Sequence, residues 1–179
     1  MQEEANLVKR AQEHDEEAWT RLYEENFDRI YRYIVLKIGE RTEAEDIAQQ
    51  VFVNAVQAIG SYDYKGTRFS AWLYRIAHNK IVDHLRRKGK RPLAPLDESL
   101  VDCAPANDPS ATAYHNLDME MVQQATVQLT PAQQEVIALR FSGDLSITEV
   151  ARTMGKSEGA VKALQHSAVL ALRKILREE

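Results

Sequence analysis

The sequence predicts an all-α protein of two helical domains, an N-terminal helical bundle and a C-terminal four-helix domain with a helix-turn-helix, joined by an extended acidic linker. Three observations predict it. Apolar residues recur at three- and four-residue steps on both sides of the chain. No strand-like alternation of useful length occurs. Four of the five prolines (Pro92, Pro95, Pro105, Pro109) fall in one stretch, RPLAPLDESLVDCAPANDPS, which lacks apolar periodicity and reads as a linker. The domains are placed at 1–91 and 112–179, with the linker at 92–111 and its acidic character continuing to 129.

The first long helix runs from Glu16 to Ile38, with Trp19, Leu22, Tyr23, Phe27, Ile30, Tyr31 and Ile34 in one apolar stripe and Gly39 as its stop. Thr42-Glu-Ala-Glu45 has the spacing of a capping box. The helix it opens packs through Ile47, Val51, Phe52, Ala55 and Ile59 and stops at Gly60. A loop, SYDYKGTRF, precedes a helix from about Ser70 to Lys88. Beyond the linker a helix is expected from about Thr112 to Gln128. Thr130-Pro131 opens the next, with proline at its first position and Gln133 completing a box, and it stops near Gly143. Ser146-Ile-Thr-Glu149 is a third box, opening a short helix that ends at Met154-Gly155. Ser157 caps a last helix to about Arg177.

Composition narrows the function. The 179 residues carry a net charge of −4, 44% hydrophobic and 28% charged residues, as an ordinary globular chain does. No apolar run approaches the roughly 20 residues of a membrane span, the acidic N-terminus is no secretory signal, and the lone Cys103 cannot form an internal disulfide; a reducing, cytoplasmic setting is expected. The charge is segmented: residues 1–63 have net −7, 64–91 net +8, 92–129 net −6 without a single Lys or Arg, and 130–179 net +1. An acidic total therefore hides a strongly basic block.

Three features bear on function. In the last two helices, Ala151, Gly155 and Val161 fit a helix-turn-helix: a small residue for close approach, glycine for the turn, an apolar anchor on the second helix. Val161, Leu164, Ala168, Leu172 and Ile175 would face inward, leaving Glu158, Lys162, Gln165, His166 and Arg173 on or beside another face for a major groove; two merely packed short helices are the plainer alternative. In the second feature, five of thirteen aromatics (Tyr62, Tyr64, Phe69, Trp72, Tyr74) interleave with Lys65, Arg68 and Arg75 ahead of the basic run RRKGKR. Cations that track phosphates and rings on which bases stack are what a single strand needs. The alternative is an aromatic core helix with a solvated basic end. The third feature, Glu43, Glu45 and Asp46 with Gln49 and Gln50, is satisfied by the helix dipole alone on residue chemistry. No phosphate-cradling glycine loop occurs, and His78 and His84, six apart on a helix, diverge too far to share a metal. No cofactor, metal or catalytic residue is expected.

Together these stretches resemble the extracytoplasmic-function (ECF) group of the sigma-70 family of transcription initiation factors, in order and over nearly the whole chain. LYEENFDRIYRYI is similar to its first conserved helix and RTEAEDIAQQVFVNAVQAI to its polymerase-binding helix. YKGTRFSAWLYRIAHNKIVDHLRRK is similar to its promoter-melting and −10 segment, and LTPAQQEVIALRFSGDLSITEVARTMGKSEGAVKALQHSAVLALRKIL to its −35-reading domain. The resemblance implies a non-enzymatic subunit that binds core RNA polymerase through Glu45, Asp46, Gln49, Gln50 and Phe52. It implies −10 contacts from Tyr62, Tyr64, Lys65, Arg68, Arg75, Asn79, Lys80, Arg86 and Arg87, with a flipped base in the loop Tyr62–Thr67. It implies −35 contacts from Ser157, Glu158, Lys162, Gln165 and His166, and a linker threading the polymerase's basic channel. Promoter DNA and an anti-sigma factor are the other partners implied. Two departures stand out: Gln50 where glutamate is common, and a recognition run, KALQHS, without arginines.

Overall fold

The structure, a computed structural model, describes residues 2–63, 67–89 and 125–178. The described residues form helices and turns with no strand. The helices are α1 (Gln2–Gln12), α2 (Glu16–Ile38), α3 (Arg41–Ala58), α4 (Phe69–Arg87), α5 (Pro131–Ile137), α6 (Ile147–Met154) and α7 (Glu158–Glu178). A 3-10 turn over Ile59–Ser61 follows α3, and a π turn over Ala138–Ser142 extends α5. The linker and the helix expected from Thr112 lie outside the described residues, apart from a helical run at 125–127.

Helix ends follow local chemistry. Asp15 caps α2 by accepting from the Ala18 amide at 3.1 Å. Gly39, at φ 77°, closes α2 with its N–H on the Val35 carbonyl. The start of α3 corrects the expectation: Glu40, not Thr42, is the cap, and its two carboxylate oxygens accept from the Thr42 and Glu43 amides at 2.9 and 3.0 Å. A longer side chain two residues upstream reaches two orphan amides, where the threonine hydroxyl reaches one. The Ser146–Glu149 box forms as expected, with the Ser146 amide donating to Glu149 Oε2 at 2.8 Å. Helix α1 was not legible as a separate element; Leu7, Val8 and Ala11 bury its inner edge.

Helices α1 to α4 enclose a core of Leu22, Ile30, Ile34, Val51, Phe69, Leu73 and Ile81, all nearly or fully buried. That core does not end at the bundle. Val136, Leu139, Leu145, Val150, Ala151 and Val161 from the C-terminal helices belong to the same contiguous cluster. A smaller one, Leu129, Ile137 and Ala168 with Val169, Leu172 and Ile175 against it, knits α5 to α7. The two helical modules of the sequence are thus present and packed on one another. In the helix-turn-helix, Gly155 takes φ 62° at the end of α6, and Ala151 and Val161 are buried beneath it.

Candidate nucleic-acid and polymerase interface

The outer face of α3 presents Glu45, Asp46, Gln49 and Gln50, all exposed. Val53 and Val56 continue the same row, 54% and 48% exposed, and sequence reasoning missed them although they follow at the same three- and four-residue steps. They give the polar row a small exposed apolar end. Phe52 packs inward, as its place in the apolar row of α3 predicts: its ring is 4% exposed and lies against Tyr23 and Phe27, with centroids 4.8 and 5.7 Å away, which leaves little of it for the contact that the resemblance implies. Glu43 also turns inward, pairing with His84 Nε2 at 3.0 Å and with Lys88. It ties the start of α3 to the end of α4.

On α4, Arg75, Asn79 and Arg86 are exposed along one row, with Val82 between them. Lys80 and Arg87 sit about 120–140° around the helix from Arg75 by helical geometry. Arg86 is steadied by Asp83 at 2.9 Å, and Arg87 Nε donates to the Asp83 carbonyl at 3.3 Å. Tyr62 is a second correction. It is 7% exposed and its ring packs on Trp72 and Phe69 at 5.0 and 5.8 Å. Its hydroxyl donates to the Thr67 carbonyl at 2.5 Å, bracing the loop that sequence reasoning gave it to serve directly. An aromatic beside a basic run is bound by the nearest apolar surface, here two further rings. Tyr64 and Lys65 lie outside the described residues.

On α7, Ser157 caps the helix by accepting from the Ala160 amide at 3.2 Å. Glu158 accepts from the Thr148 hydroxyl at 2.8 Å, and Gln165 accepts from Arg140 Nε at 3.2 Å. Lys162 and His166 are exposed on the same side. The first turns of this helix therefore present one cation, Lys162, and one imidazole, His166, beside Glu158 and Gln165, which neighbours already orient, an arrangement suited to a groove edge.

The seam between the modules holds groups the sequence did not reveal. Glu135 of α5, 5% exposed, accepts from the Tyr33 hydroxyl, pairs with Lys37, and meets His78 Nδ1 at 3.0 Å. Burial alone would push its carboxyl up; the hydrogen bond from His78 and the charges of Lys37 and His78 outweigh this and hold it at about 2. Burial, and after it the same carboxylate, push the Tyr33 hydroxyl well up. Glu149 of α6 takes the Arg68 fork, Nε at 3.1 Å and Nη2 at 3.0 Å. Burial raises its carboxyl, while Arg68 and the Ser146 amide bring it down to about 2. No cluster of metal-ligating side chains occurs among the described residues.

The sigma-70 region 2 profile matches residues 22–91 and that of sigma-70 region 4 matches residues 127–174. The ECF RNA polymerase sigma factor SigW of Bacillus subtilis is 31% identical over 183 residues, covering 96% of this chain and 95% of the relative. The chain belongs to the ECF group of the sigma-70 family. It is a promoter-recognising transcription initiation factor and not an enzyme. A second ECF sigma factor, BldN of Streptomyces coelicolor, is 38% identical over 173 residues, 97% of this chain and 66% of the relative's length. Among solved structures, CnrH in complex with the cytosolic domain of CnrY superposes with TM-score 0.70 at 23% identity, covering 98% of each chain. RpoE of Bartonella quintana, in complex with the anti-sigma factor NepR, superposes with TM-score 0.68 at 21% identity, covering 88% of this chain and 96% of that one. At these identities the likeness shows the fold. In this ECF sigma factor, region 2 spans most of α2 with α3 and α4, and region 4 spans α5, α6 and most of α7. No helix among the described residues is long and apolar enough to cross a membrane.

Proposed function

We propose that this sigma factor divides its work by surface. Residues 1–91 dock on core RNA polymerase and hold the −10 element, 112–179 read the −35 element, and the acidic stretch from 92 threads between them. The outer row of α3, from Glu45, Asp46, Gln49 and Gln50 to Val53 and Val56, meets the largest polymerase subunits. Its apolar end supplies burial and its acids orient the approach. Arg75, Asn79 and Arg86 of α4 track the unpaired −10 strand, with Arg68, Lys80 and Arg87 beside it and Tyr64 and Lys65 in the preceding loop. Lys162 and His166 of α7 meet the −35 groove, flanked by Ser157, Glu158 and Gln165.

Strand opening needs no hydrolysis. Unstacking a base costs a few kcal/mol, and contacts made only by the unpaired strand offset it. The observation that carries the reading is the alignment of Arg75, Asn79 and Arg86 as one exposed row on a helix whose opposite side is core. An anti-sigma factor is the regulatory partner this reading includes, and the cytoplasm is its setting. A duplex-binding regulator with no need of polymerase is the alternative. Purified chain added to core polymerase should give promoter-dependent transcripts and bind duplex promoter weakly alone; a tight duplex shift without polymerase would reject the reading.

A further inference from the structure

We infer that helix α1 is a positioning element for the −10 strand: Gln12 and Glu4 hold the two ends of the segment that runs from Tyr62 into α4, so recognition of the strand depends on residues behind it. This role deepens the proposed function and rests on its placing of that segment at the unpaired strand.

Helix α1 lies ahead of residues 22–91, which the region 2 profile matches. Its own anchoring does not involve the segment. Leu7, Val8 and Ala11 are buried in the core of the bundle. The turn into α2 is closed by Arg10, whose Nε donates to Asp15 at 2.7 Å, while Asp15 caps α2. A helix held in this way is a fixed support.

Gln12, the last residue of α1, supports the first end. Its side-chain nitrogen donates to the Ile59 carbonyl at 2.9 Å and to the Tyr62 carbonyl at 2.8 Å. Carbonyls only accept, so the amide must turn its NH2 toward them, and both of its protons are then used. The Ile59 carbonyl also takes the Tyr62 amide at 3.0 Å. The 3-10 turn and Gln12 thus fix the Tyr62 backbone from two sides.

Glu4 supports the second end. Arg68, the residue before α4, makes no side-chain cap, and the first amides of a helix need an acceptor from outside it. Glu4 Oε1 supplies one from α1, accepting from the Phe69 amide at 3.2 Å. The two ends are also joined directly. The Tyr62 hydroxyl donates to the Thr67 carbonyl, and its ring lies on Phe69 and Trp72. Capturing an unpaired base costs conformational freedom in the segment that receives it, and ends already held reduce that cost.

The test uses the full chain assembled with core polymerase. The probe is a single strand spanning the −10 element of a promoter that the wild-type holoenzyme transcribes, set against a strand of the same composition in scrambled order. The ratio of the two affinities is read, because a loss of folded protein lowers both alike. Gln12→Met keeps the length and removes the donors; it should lower the ratio by about tenfold, as the loss of two hydrogen bonds implies. Gln12→Lys restores donors toward both carbonyls and should recover most of the ratio. Capture of core polymerase should match wild type in both, since Gln12 lies off the α3 face. Glu4→Ala should lower the ratio to a smaller degree, and is read instead should Gln12→Met fold poorly. A wild-type preference that Gln12→Met and Glu4→Ala leave intact, or an equal fall in Gln12→Met and Gln12→Lys, overturns the positioning role alone. A wild-type holoenzyme that transcribes no promoter, or that does not prefer the −10 strand, overturns the reading beneath and the role with it.

Discussion

Arg68 forks onto Glu149 across 81 residues of chain, Nε to Oε1 at 3.1 Å and Nη2 to Oε2 at 3.0 Å, and this pair joins the start of α4 to the first turn of α6. Glu149 is buried while Arg68 is about one-third exposed, with side-chain exposures of 6% and 35%. Removing the arginine alone therefore strands a buried charge. Arg68→Met should cost about 1–3 kcal/mol in urea unfolding followed by tryptophan fluorescence. Adding Glu149→Met should recover much of it, because the stranded charge goes too. Equal losses in the single and double variants would mean that the pair is not coupled.

The two seam carboxyls fix the acid side of the stability profile. Both are held at about 2 against an ordinary 4.5. Each contributes stability that is complete above 4.5 and is lost as pH falls from there toward 2. The groups facing Glu135 are Lys37 and Tyr33 from α2 and His78 from α4; those facing Glu149 are Arg68 and the Ser146 amide and hydroxyl. Wild-type chain should therefore lose stability steadily on acidification below pH 4.5, and Glu135→Gln with Glu149→Gln should give a flatter profile over the same range. Thermal unfolding at matched pH values measures both.

Tyr74 offers a stability gain. Burial pushes its hydroxyl up to about 12, and among the described residues the group has no hydrogen-bond partner to offset its lost hydration. Tyr74→Phe should be neutral or stabilise by about 1 kcal/mol. Gly143→Ala should do the reverse. Its φ of −86° suits alanine, but a Cβ would lie 2.8 Å from the Leu139 carbonyl and 3.1 Å from the Tyr74 ring. A loss of about 1–3 kcal/mol is expected from such overpacking.

These contrasts mark what the sequence made legible. The bounds of α2, its glycine stop, the Ser146–Glu149 box and the inward row Val161, Leu164, Ala168 are local patterns, and local patterns survive folding because their partners lie within a turn. Glu149 was read only as the closing glutamate of that box. Its second bond, to a residue 81 positions away, has no local signature, and neither does the joining of Glu135 to Lys37 and His78. Tyr62 was given to the surface because it neighbours basic residues, whereas Phe52 was read as packing and given a partner contact only through the resemblance. Three-dimensional packing on Tyr23, Phe27, Trp72 and Phe69 took both inside. Glu40 displaced Thr42 as a cap because the glutamate reaches two amides at once.

Helix α3 separates core from contact surface within one element, and the two sides should respond differently. Phe52→Ala removes a buried ring and leaves a cavity against Tyr23 and Phe27, so it should destabilise the chain by about 3–5 kcal/mol and lower polymerase capture only through loss of folded protein. Asp46→Ala with Gln49→Ala touches only exposed side chains and should stay within about 0.5 kcal/mol of wild type in unfolding. The same double substitution should still weaken capture of core polymerase by the folded chain. Val53→Ser with Val56→Ser tests the apolar end of that face and should weaken capture further, because an interface draws its affinity from a buried apolar centre more than from rim charges. Capture is read by pull-down of core polymerase at fixed folded concentration, verified by circular dichroism. If capture tracks stability across all three variants, α3 contributes only packing and the polymerase contact must be sought elsewhere on the bundle.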